Sequence, residues 1–534
     1  MTAAPTTYVQ VLLPLRLGWI PTYSSPVPLE AGQRVRAELG RRSYDGVVWR
    51  RIDRPDLPPE RIQPVAAVQD ELPRVTAEEL RFWQFLSDYY LCTLGEVYKA
   101  AYPLLKIRSE RTSADILARL RTRLVRKEQE LAGRHNERVT ARLQAAREAL
   151  LTQIRAIERS REDGGAAEAV RPEGGSPGPA EVLIGTERIG SYREALRDVL
   201  SAGRQALILC PETAFCDRLE QVLQEEFGDR LRVFHSGKTA AARRRAAEDL
   251  RSAAPVIVLG TRSALFLPFR ALALVIVDEE QDPAYKQGEP APRYQGRDAA
   301  VALAGIHGAR VLLGAAVPSL ETLLNVRLGK YVLRQDGAPP AGAEIIDIPA
   351  ERRKNGMVGS FSRRLIAAVT QTDGPVVLIR GWEKPEVLQE EAARLFPDRE
   401  IRILTLGALK REGAAGAALL AVMQADALIA RDDFRGDERA LQILGTIGLF
   451  APRVLVQTAV PARFSGRRTL YELLDERREF GFPPYTRLVE VRRRGGGEVV
   501  ERHFLARDRQ LAERKAAIAA SLPAGCYPDV DPAD

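Results

Sequence analysis

The chain has 534 residues, a length that predicts about three or four domains rather than a single core. Apolar residues make up 45% and charged residues 28%, which is typical of a globular protein, and no apolar run approaches the ~18 residues that a membrane span needs. The net charge of +8 favours a polyanionic partner, although an arginine-rich composition alone would give the same excess.

Residues 1–105 contain short alternating runs such as "QRVRAEL" and "YDGVVWRRI", which predict a β-rich domain that ends in a helix. Residues 106–162 have apolar residues at helical spacing and predict two long helices. Within this segment, residues 106–161 hold 15 Lys or Arg against 7 Asp or Glu. The surplus fits either a solvated helix face or a basic arm on nucleic acid, and the sequence leaves both open.

Residues 163–180, "DGGAAEAVRPEGGSPGPA", predict a flexible linker. Strands and helices then alternate in two blocks, 181–338 and 339–465, which predicts two parallel α/β lobes. Residues 466–534 predict a small C-terminal domain. The expected fold class is therefore multidomain α/β.

The cysteines and the first residues indicate a compartment. None of the four cysteines forms a C-x-x-C pair, which argues against a zinc site or a disulfide framework and suits a reducing cytoplasm. The stretch "YVQVLLPLRLGWIP" is interrupted by Pro14 and Arg16 and lacks the basic-then-apolar order of a signal peptide. We expect a cytoplasmic protein without a membrane partner.

A nucleotide-binding loop of the G-x-x-x-x-G-K-[ST] type is missing. This motif uses glycines for close backbone approach, a lysine for the phosphates and a hydroxyl for magnesium. The run Gly237-Lys238-Thr239 has Arg232 at the place of the first glycine, so we expect a loop that opens a helix. Asp278 and Glu279, in contrast, follow a hydrophobic strand, as the carboxylates of ATP-driven motors do.

Nine segments together carry a family resemblance. In chain order they are "GRQALILCPE", "HSG", "VIVLGTRSALFLPF", "LVIVDEEQDPAYKQ", "PRYQGRD", "LLGAAVPSLETL", "DDFRGDERALQ", "EFGFPPYTRLVEV" and "DVDP". They closely resemble the PriA family of replication restart proteins, to which "GTRSALFLPF" and "DEEQDPAYKQ" are quite specific among helicases. The resemblance covers 1–105 loosely and 180–534 well, whereas the family has a winged-helix domain at 106–180.

The resemblance implies a fold and a set of partners. The fold would combine an N-terminal β-rich DNA-binding domain, a helical insert and two RecA-like lobes of superfamily 2 helicases. The partners would be forked or single-stranded DNA and the primosome and helicase-loading proteins, with single-stranded DNA-binding protein as a further candidate. Such a protein would reload the replicative helicase at stalled forks and would be nucleoid-associated in the cytoplasm.

The resemblance also shows where helicase motifs are altered. Glu187, Arg188 and Ile189 stand where the family has Gly-Lys-Thr, so no nucleotide-binding residue is expected, although Arg188 leaves passive nucleotide binding open. Ala315-Ala316-Val317 replaces Ser-Ala-Thr, and Phe450 stands at the arginine-finger position. The family's zinc insertion has no counterpart in this sequence.

From these changes we expect no catalytic residue, with Asp278 and Glu279 as remnants, and neither ATP, magnesium nor zinc as cofactor. The chain is accordingly predicted not to be an enzyme. The alternative is an ATP-dependent 3′–5′ DNA helicase with an atypical nucleotide site, based on Asp278, Glu279 and Arg188. A third interpretation is a protein-interaction module that no longer binds DNA. The basic segment 106–161 and the arginine–tyrosine loop "PRYQGRD" argue against it.

The predicted DNA-binding residues match family segments that touch DNA. They are Gly40, Arg41, Tyr285, Lys286, Arg293, Tyr294 and Arg297. Tyrosine can stack on a base, and the cations can hold phosphates. An ion pair between Arg297 and Asp298 is the structural alternative. The family's 3′-hydroxyl pocket falls on Pro21, Thr22 and Gln63, so the sequence leaves recognition of a free 3′ end open.

Overall fold

The computed structural model describes residues 7–55, 57–105, 178–429, 434–466 and 468–533, together with isolated positions between 124 and 151. The chain clusters into two compact units, Met1–Leu80 with Leu94–Gly175 and Arg81–Thr93 with Ser176–Asp534. The predicted helical segment 106–162 and most of the predicted linker 163–180 lie outside the described residues, apart from those isolated positions, which are helical.

The first unit contains an antiparallel sheet. Its strands are β1 (Thr7–Leu12), β2 (Thr22–Ser25), β3 (Arg34–Leu39), β4 (Arg42–Ile52) and β5 (Ala67–Val68), in the order β2-β1-β4-β3-β5. Side chains alternate across each strand, so Val9 and Val11 of β1 and Val35 and Ala37 of β3 meet in one buried core. The predicted β-rich N-terminal fold is confirmed.

Two helices follow this sheet, α1 (Ala77–Tyr90) and α2 (Leu94–Leu105). Thr76 begins α1 with a reciprocal cap, because its hydroxyl accepts from the Glu79 N–H at 3.0 Å and its own N–H donates to Glu79 Oε2 at 2.9 Å. The second half of α1 belongs to the second unit, where the rings of Phe82 and Phe266 are 5.9 Å apart.

Lobe 1 of the second unit is built on a seven-stranded parallel sheet. Its strands are β6 (Ala180–Ile184), β7 (Gln205–Leu209), β8 (Leu231–Phe234), β9 (Ile257–Gly260), β10 (Leu272–Val277), β11 (Arg310–Ala315) and β12 (Tyr331–Gln335), in the order β12-β6-β11-β10-β7-β9-β8. Its helices are α3 (Arg188–Ser201), α4 (Thr213–Phe227), α5 (Ala240–Arg251), α6 (Gly296–His307) and α7 (Leu320–Arg327). The central strands β7 and β9 are buried throughout, as expected of a covered parallel sheet.

Lobe 2 is a five-stranded parallel sheet with a small hairpin. The strands are β13 (Ala343–Asp347), β14 (Met357–Val358), β15 (Phe361–Ser362), β16 (Val376–Ile379), β17 (Ile401–Leu404), β18 (Leu419–Val422) and β19 (Arg453–Thr458). The helices are α8 (Ile348–Lys354), α9 (Arg363–Gln371), α10 (Pro385–Leu395), α11 (Leu406–Glu412), α12 (Gly436–Ile447) and α13 (Pro461–Phe464). Because its order is β13-β19-β18-β16-β17 with parallel pairings, the prediction of two parallel α/β lobes is confirmed.

The C-terminal part of the unit is a small antiparallel sheet with two helices. Its elements are α14 (Leu470–Glu479), β20 (Thr486–Arg493), β21 (Val499–Ala506), α15 (Leu511–Ala520) and β22 (Cys526–Val530), and the sheet order is β21-β20-β22. Short 3-10 helices occur at Pro59–Arg61, Gly228–Arg230, Arg262–Phe266, Pro283–Tyr285 and Ala425–Leu428. Within the described ranges, no helix has both the length and the hydropathy to cross a membrane.

Candidate functional site

Two carboxylates and an arginine meet at the carboxyl edge of the lobe 1 sheet. Asp278 and Glu279 directly follow β10, and Arg188 is the first residue of α3. The Arg188 guanidinium contacts Glu279 Oε1 and lies 3.5 Å from Asp278 Oδ1. One turn further along α3, the Tyr192 hydroxyl donates to Asp278 Oδ1 at 2.9 Å. The fold therefore brings both predicted remnant carboxylates onto Arg188.

This cluster is shielded from solvent. Arg188 is 8% exposed and Glu279 6%. Burial alone would lower the pKa of the Arg188 guanidinium, but the carboxylates of Glu279 and Asp278 outweigh it and raise that pKa above its usual range. Gln281 donates from Nε2 to the second oxygen of Glu279 at 2.7 Å. Both oxygens of Glu279 are thus engaged within the protein.

The loop between β6 and α3 is covered by residues that follow β12. The N–H of Thr186 donates to Ala338 O at 3.1 Å, and the N–H of Glu187 donates to Asp336 O at 3.1 Å. Gly337 has φ +80°, and a Cβ there would lie 2.6 Å from Glu187 Cγ. The amides that would cradle a phosphate in a nucleotide-binding loop are therefore already hydrogen-bonded to this chain.

A magnesium nucleotide, which the family resemblance implies, does not fit this arrangement. Positions 188 and 189 supply neither a lysine nor a hydroxyl, the loop amides are engaged, and the carboxylates hold Arg188. Among the residues that the structure describes, no group of three or more His, Cys, Asp or Glu is arranged to hold a metal. The expectation that ATP, magnesium and zinc are not cofactors stays a prediction.

The run Gly237-Lys238-Thr239 opens a helix, as predicted from its spacing. Thr239 caps α5, and its hydroxyl accepts from the Ala242 N–H at 3.2 Å. Lys238 pairs with Glu220 at 2.7 Å rather than projecting into a loop of amides. This run therefore forms a helix cap and an ion pair.

The other altered motif positions lie where the two lobes meet. Val317 packs on Gly445 of α12 so closely that a Cβ on the glycine would collide with Val317 Cγ2. Phe450, at the predicted arginine-finger position, lies under Arg218 of lobe 1, whose guanidinium carbon is 5.4 Å from the ring centroid. Apolar and cation–π contacts thus occupy positions at which the family has hydroxyls and a cation.

A buried network surrounds Arg297. Its guanidinium donates to Glu280 Oε2 at 3.0 Å, to Ser319 Oγ at 2.6 Å and to Asp298 Oδ1 at 2.8 Å. Burial alone would lower the pKa of Arg297, but Asp298 and Glu280 raise it well above its usual range. The ion pair with Asp298, which the sequence offered as the alternative to DNA contact, is present in the structure.

The predicted DNA-binding tyrosines of this region face protein. Tyr285 is fully buried, and its hydroxyl donates to Leu209 O at 2.8 Å and to Asp278 O at 2.6 Å. Tyr294 is 4% exposed and donates to Arg262 O at 3.2 Å. Stacking on a base would require these rings to leave their present positions, and DNA contact by them stays a prediction.

The neighbouring predicted cations are also paired. Lys286 Nζ lies 2.8 Å from Asp529 Oδ1 in a buried site. The Arg293 guanidinium carbon lies 3.6 Å from the centroid of the Tyr527 ring. Both residues thus contact the C-terminal sheet, at β22. Binding of DNA by these two cations and by Arg297 stays a prediction.

Gly40 and Arg41 form the turn between β3 and β4. Gly40 has φ +62°, a conformation that favours glycine, and Arg41 is exposed beside it. The Tyr23 hydroxyl donates to Glu38 O at 2.8 Å near the end of β3. Arg41 is the most accessible of the predicted DNA-binding side chains, so its assignment is the easiest to test.

Sequence reasoning missed three residues of these networks, Tyr192, Glu280 and Ser319. The spacing of Tyr192, four residues after Arg188, places both on one face of α3 and was a usable signal. A side chain on Gly314 would collide with the Tyr192 hydroxyl, which explains a glycine inside β11. Glu280 and Ser319 gave no local signal, because their contact joins residues 39 positions apart.

The comparisons with known proteins agree with the resemblance. Residues 10–103 match the family model of the PriA 3′ DNA-binding domain (3′BD). The replication restart protein PriA of Chlamydia pneumoniae is 34% identical over 194 residues, covering 35% of this chain and 26% of that protein. PriA of Rickettsia conorii is 26% identical over 377 residues, covering 67% of this chain and 51% of that protein. The resemblance to PriA is confirmed, and the chain spans about half the length of these relatives or less.

The solved structures that the chain matches include two DNA complexes. RecG bound to a three-way DNA junction matches with a TM-score of 0.36 and 14% identity, covering 72% of this chain and 54% of that one. The DUF1998 helicase MrfA bound to DNA matches with a TM-score of 0.35 and 12% identity, covering 66% of this chain and 60% of that one.

The prediction that the chain is not an enzyme is contradicted by the match to PriA replication restart proteins, since these homologues point to a DNA helicase. The prediction inferred a loss of helicase activity from the altered motif residues. Altered positions alone do not establish that loss, because Asp278 and Glu279 still follow β10 at the carboxyl edge of the lobe 1 sheet.

Proposed function

We propose that this chain, a relative of the PriA replication restart proteins, binds forked DNA and acts in replication restart. The match of residues 10–103 to the PriA 3′ DNA-binding domain supports the proposal. Within this range, the β3–β4 turn carries exposed Arg41 and Arg42, which can hold phosphates. The basic surplus of residues 106–161 would add contacts that do not depend on DNA sequence.

The proposed role includes protein partners. A restart protein bound at a fork would guide primosome and helicase-loading proteins, and single-stranded DNA-binding protein is a further proposed partner. These partners rest on the resemblance alone, since the matched relatives are named replication restart proteins.

Fluorescence anisotropy with labelled DNA tests the proposal. The full-length chain should bind a fork more tightly than a duplex of equal length, and its affinity should fall as salt rises. Arg41→Gln should weaken fork binding, whereas Arg61→Gln, an exposed arginine of the same unit outside the β3–β4 turn, serves as the matched control. Equal affinity for fork and duplex would contradict structure-specific recognition.

A DNA helicase is the second candidate function. It is favoured by the curated relatives and by the Asp278–Glu279 pair at the carboxyl end of β10. Strand separation on a labelled fork, with ATP present, measures this activity directly. The activity should disappear in Glu279→Gln and persist in Glu226→Gln, a carboxylate of the same lobe on α4. Unwinding that survives Glu279→Gln would exclude this carboxylate from the activity.

A further inference from the structure

The Asp278–Glu279 pair already has a cation, and the chain itself supplies it. Arg188 reaches across from α3 to contact Glu279 and to lie 3.5 Å from Asp278. A divalent ion bound by these oxygens would sit about 2.0–2.1 Å from them in the case of magnesium. The guanidinium and such an ion cannot both occupy the space between the two carboxylates.

We propose that Arg188 is an internal counter-ion that keeps divalent cations away from the Asp278–Glu279 pair in the resting, DNA-free protein. The pair is then a latent cation site, which opens only when the guanidinium leaves. The site lies wholly within lobe 1, so fork binding by residues 10–103 could fail without affecting it.

The surrounding contacts hold Arg188 in this position. Its Nη1 donates to Gly185 O at 3.0 Å, which ties the guanidinium to its own loop. Gln281 donates to the second oxygen of Glu279 at 2.7 Å, and Tyr192 donates at 2.9 Å to the same Asp278 oxygen that Arg188 approaches. An arginine tethered to the same domain also competes at a high effective concentration with an ion from solution.

The segment 336–338 reinforces the closed state. Its carbonyls accept from the amides of Thr186 and Glu187, and Gly337 packs against the Glu187 side chain. Gly185, at φ +126°, allows the segment 336–338 to lie against the β6–α3 loop, because a Cβ at this position would collide with Asp336 O. Release of Arg188 would therefore have to disturb a loop fixed on both sides.

Manganese binding followed by electron paramagnetic resonance tests the inference, because Mn²⁺ accepts the same carboxylate ligands and its free-ion signal is lost on binding. Mn²⁺ is titrated into the full-length DNA-free protein and into Arg188→Ala. The variant should bind one ion per chain about tenfold more tightly than the wild type, or better. The double variant Arg188→Ala/Glu279→Gln lacks the Glu279 carboxylate and should therefore lose the tighter Mn²⁺ binding.

Arg197→Ala is the matched control. Arg197 lies on the same helix and also contacts a carboxylate, Glu226, but its side chain is 59% exposed. This variant should bind Mn²⁺ as the wild type does. Wild-type binding that is as tight as that of Arg188→Ala and is lost in Glu279→Gln would overturn the inference, as would an Arg188→Ala variant that folds without any gain.

A measurement on the wild type covers the case in which Arg188→Ala does not fold. Hydrogen exchange of the Thr186 and Glu187 amides should be slow and should not change when magnesium is added, since the site stays closed. A magnesium-dependent change in their exchange that is absent from Glu279→Gln would show that the ion reaches the pair and would overturn the proposal.

Discussion

At the scale of single residues, buried ion pairs such as Arg188–Glu279 and Arg297–Glu280 connect positions of lobe 1 that lie far apart in the chain. The positions of Asp278, Glu279 and Arg188 were all singled out in the sequence, yet their mutual contact was not. Arg188 and Glu279 are 91 residues apart in the chain. They meet because the sheet places β6 and β10 close together, with the single strand β11 between them. That neighbourhood follows from strand order, which local patterns do not encode.

The residues predicted to touch DNA show the same limit. Tyr285, Lys286 and Arg297 have the side chains that nucleic-acid contacts use, and their burial could not be read from the sequence. Each has a partner within the protein, as with Lys286 and Asp529 at 2.8 Å. Residue type alone does not distinguish a cation that holds phosphate from one that joins two elements.

Loss of the Arg297 network should destabilise the fold. Arg297→Ala should lower the free energy of unfolding by about 3–5 kcal/mol, because Glu280 would remain buried without its cation. Chemical denaturation followed by circular dichroism measures this. Arg310→Ala is the control, since Arg310 pairs with Glu181 at 3.0 Å while 50% exposed, and its loss should cost less than about 1 kcal/mol. Equal destabilisation by the two substitutions would show that burial of the Arg297 network does not increase its contribution to stability.

A lysine on α15 should make stability depend on pH. Burial lowers the pKa of Lys515 from 10.5 to about 8. Between about pH 8 and 10.5 the unfolded chain therefore binds more protons, so this residue makes stability rise with pH across that window. Below pH 8, burial of the protonated Lys515 side chain lowers the free energy of unfolding by about 3 kcal/mol.

Lys515→Met isolates this contribution. The stability gained by the variant over the wild type should be largest below pH 8 and should shrink as the pH rises toward 10.5, measured by denaturation at each pH. Lys330→Met, at an exposed lysine, should show no such trend. A gain that is constant with pH would mean that Lys515 is not held as a buried ammonium.

At the scale of elements, hydrophobic periodicity was sufficient to predict the two lobes but not to predict how the lobes contact each other. Strands such as β7 and β10 are hydrophobic runs between helices, and these runs predicted both parallel sheets correctly. The packing of Val317 on Gly445 joins two lobes and has no periodic signal. The sequence therefore identified Val317 as a changed motif position without showing what it contacts.

The Val317–Gly445 contact should behave as a coupled pair. Gly445→Ala improves helix propensity in α12 by up to about 1 kcal/mol, yet it should destabilise the protein by about 1–3 kcal/mol, because its methyl group collides with Val317. In a Val317→Ala background the same change should be neutral or stabilising. Thermal denaturation of the four proteins completes the double-mutant cycle. Equal effects of Gly445→Ala in both backgrounds would exclude the contact.

At the scale of the whole molecule, the sequence predicted a multidomain α/β chain and a polyanionic partner from composition and family resemblance. The fold is confirmed, while the role of the basic surplus stays a prediction. Residues 106–161 carry an excess of eight positive charges, 15 against 7, equal to the +8 of the entire chain. The remaining domains are therefore close to neutral in sum, and any phosphate binding by them must come from local patches such as the β3–β4 turn.

Salt dependence decides whether the basic segment binds DNA. Replacing Arg119, Arg121 and Arg123 with Gln should reduce the slope of log affinity against log salt by about 0.9 for each phosphate of the duplex arms that these arginines neutralise. Fork binding measured by anisotropy at several salt concentrations gives this slope. The matched control replaces Arg352, Arg353 and Lys354, three exposed cations of lobe 2, with Gln and keeps the change in net charge the same. A change of slope in the first variant alone would identify a basic arm on nucleic acid. Identical slopes in both variants and the wild type would instead assign the segment's charge to a solvated helix face.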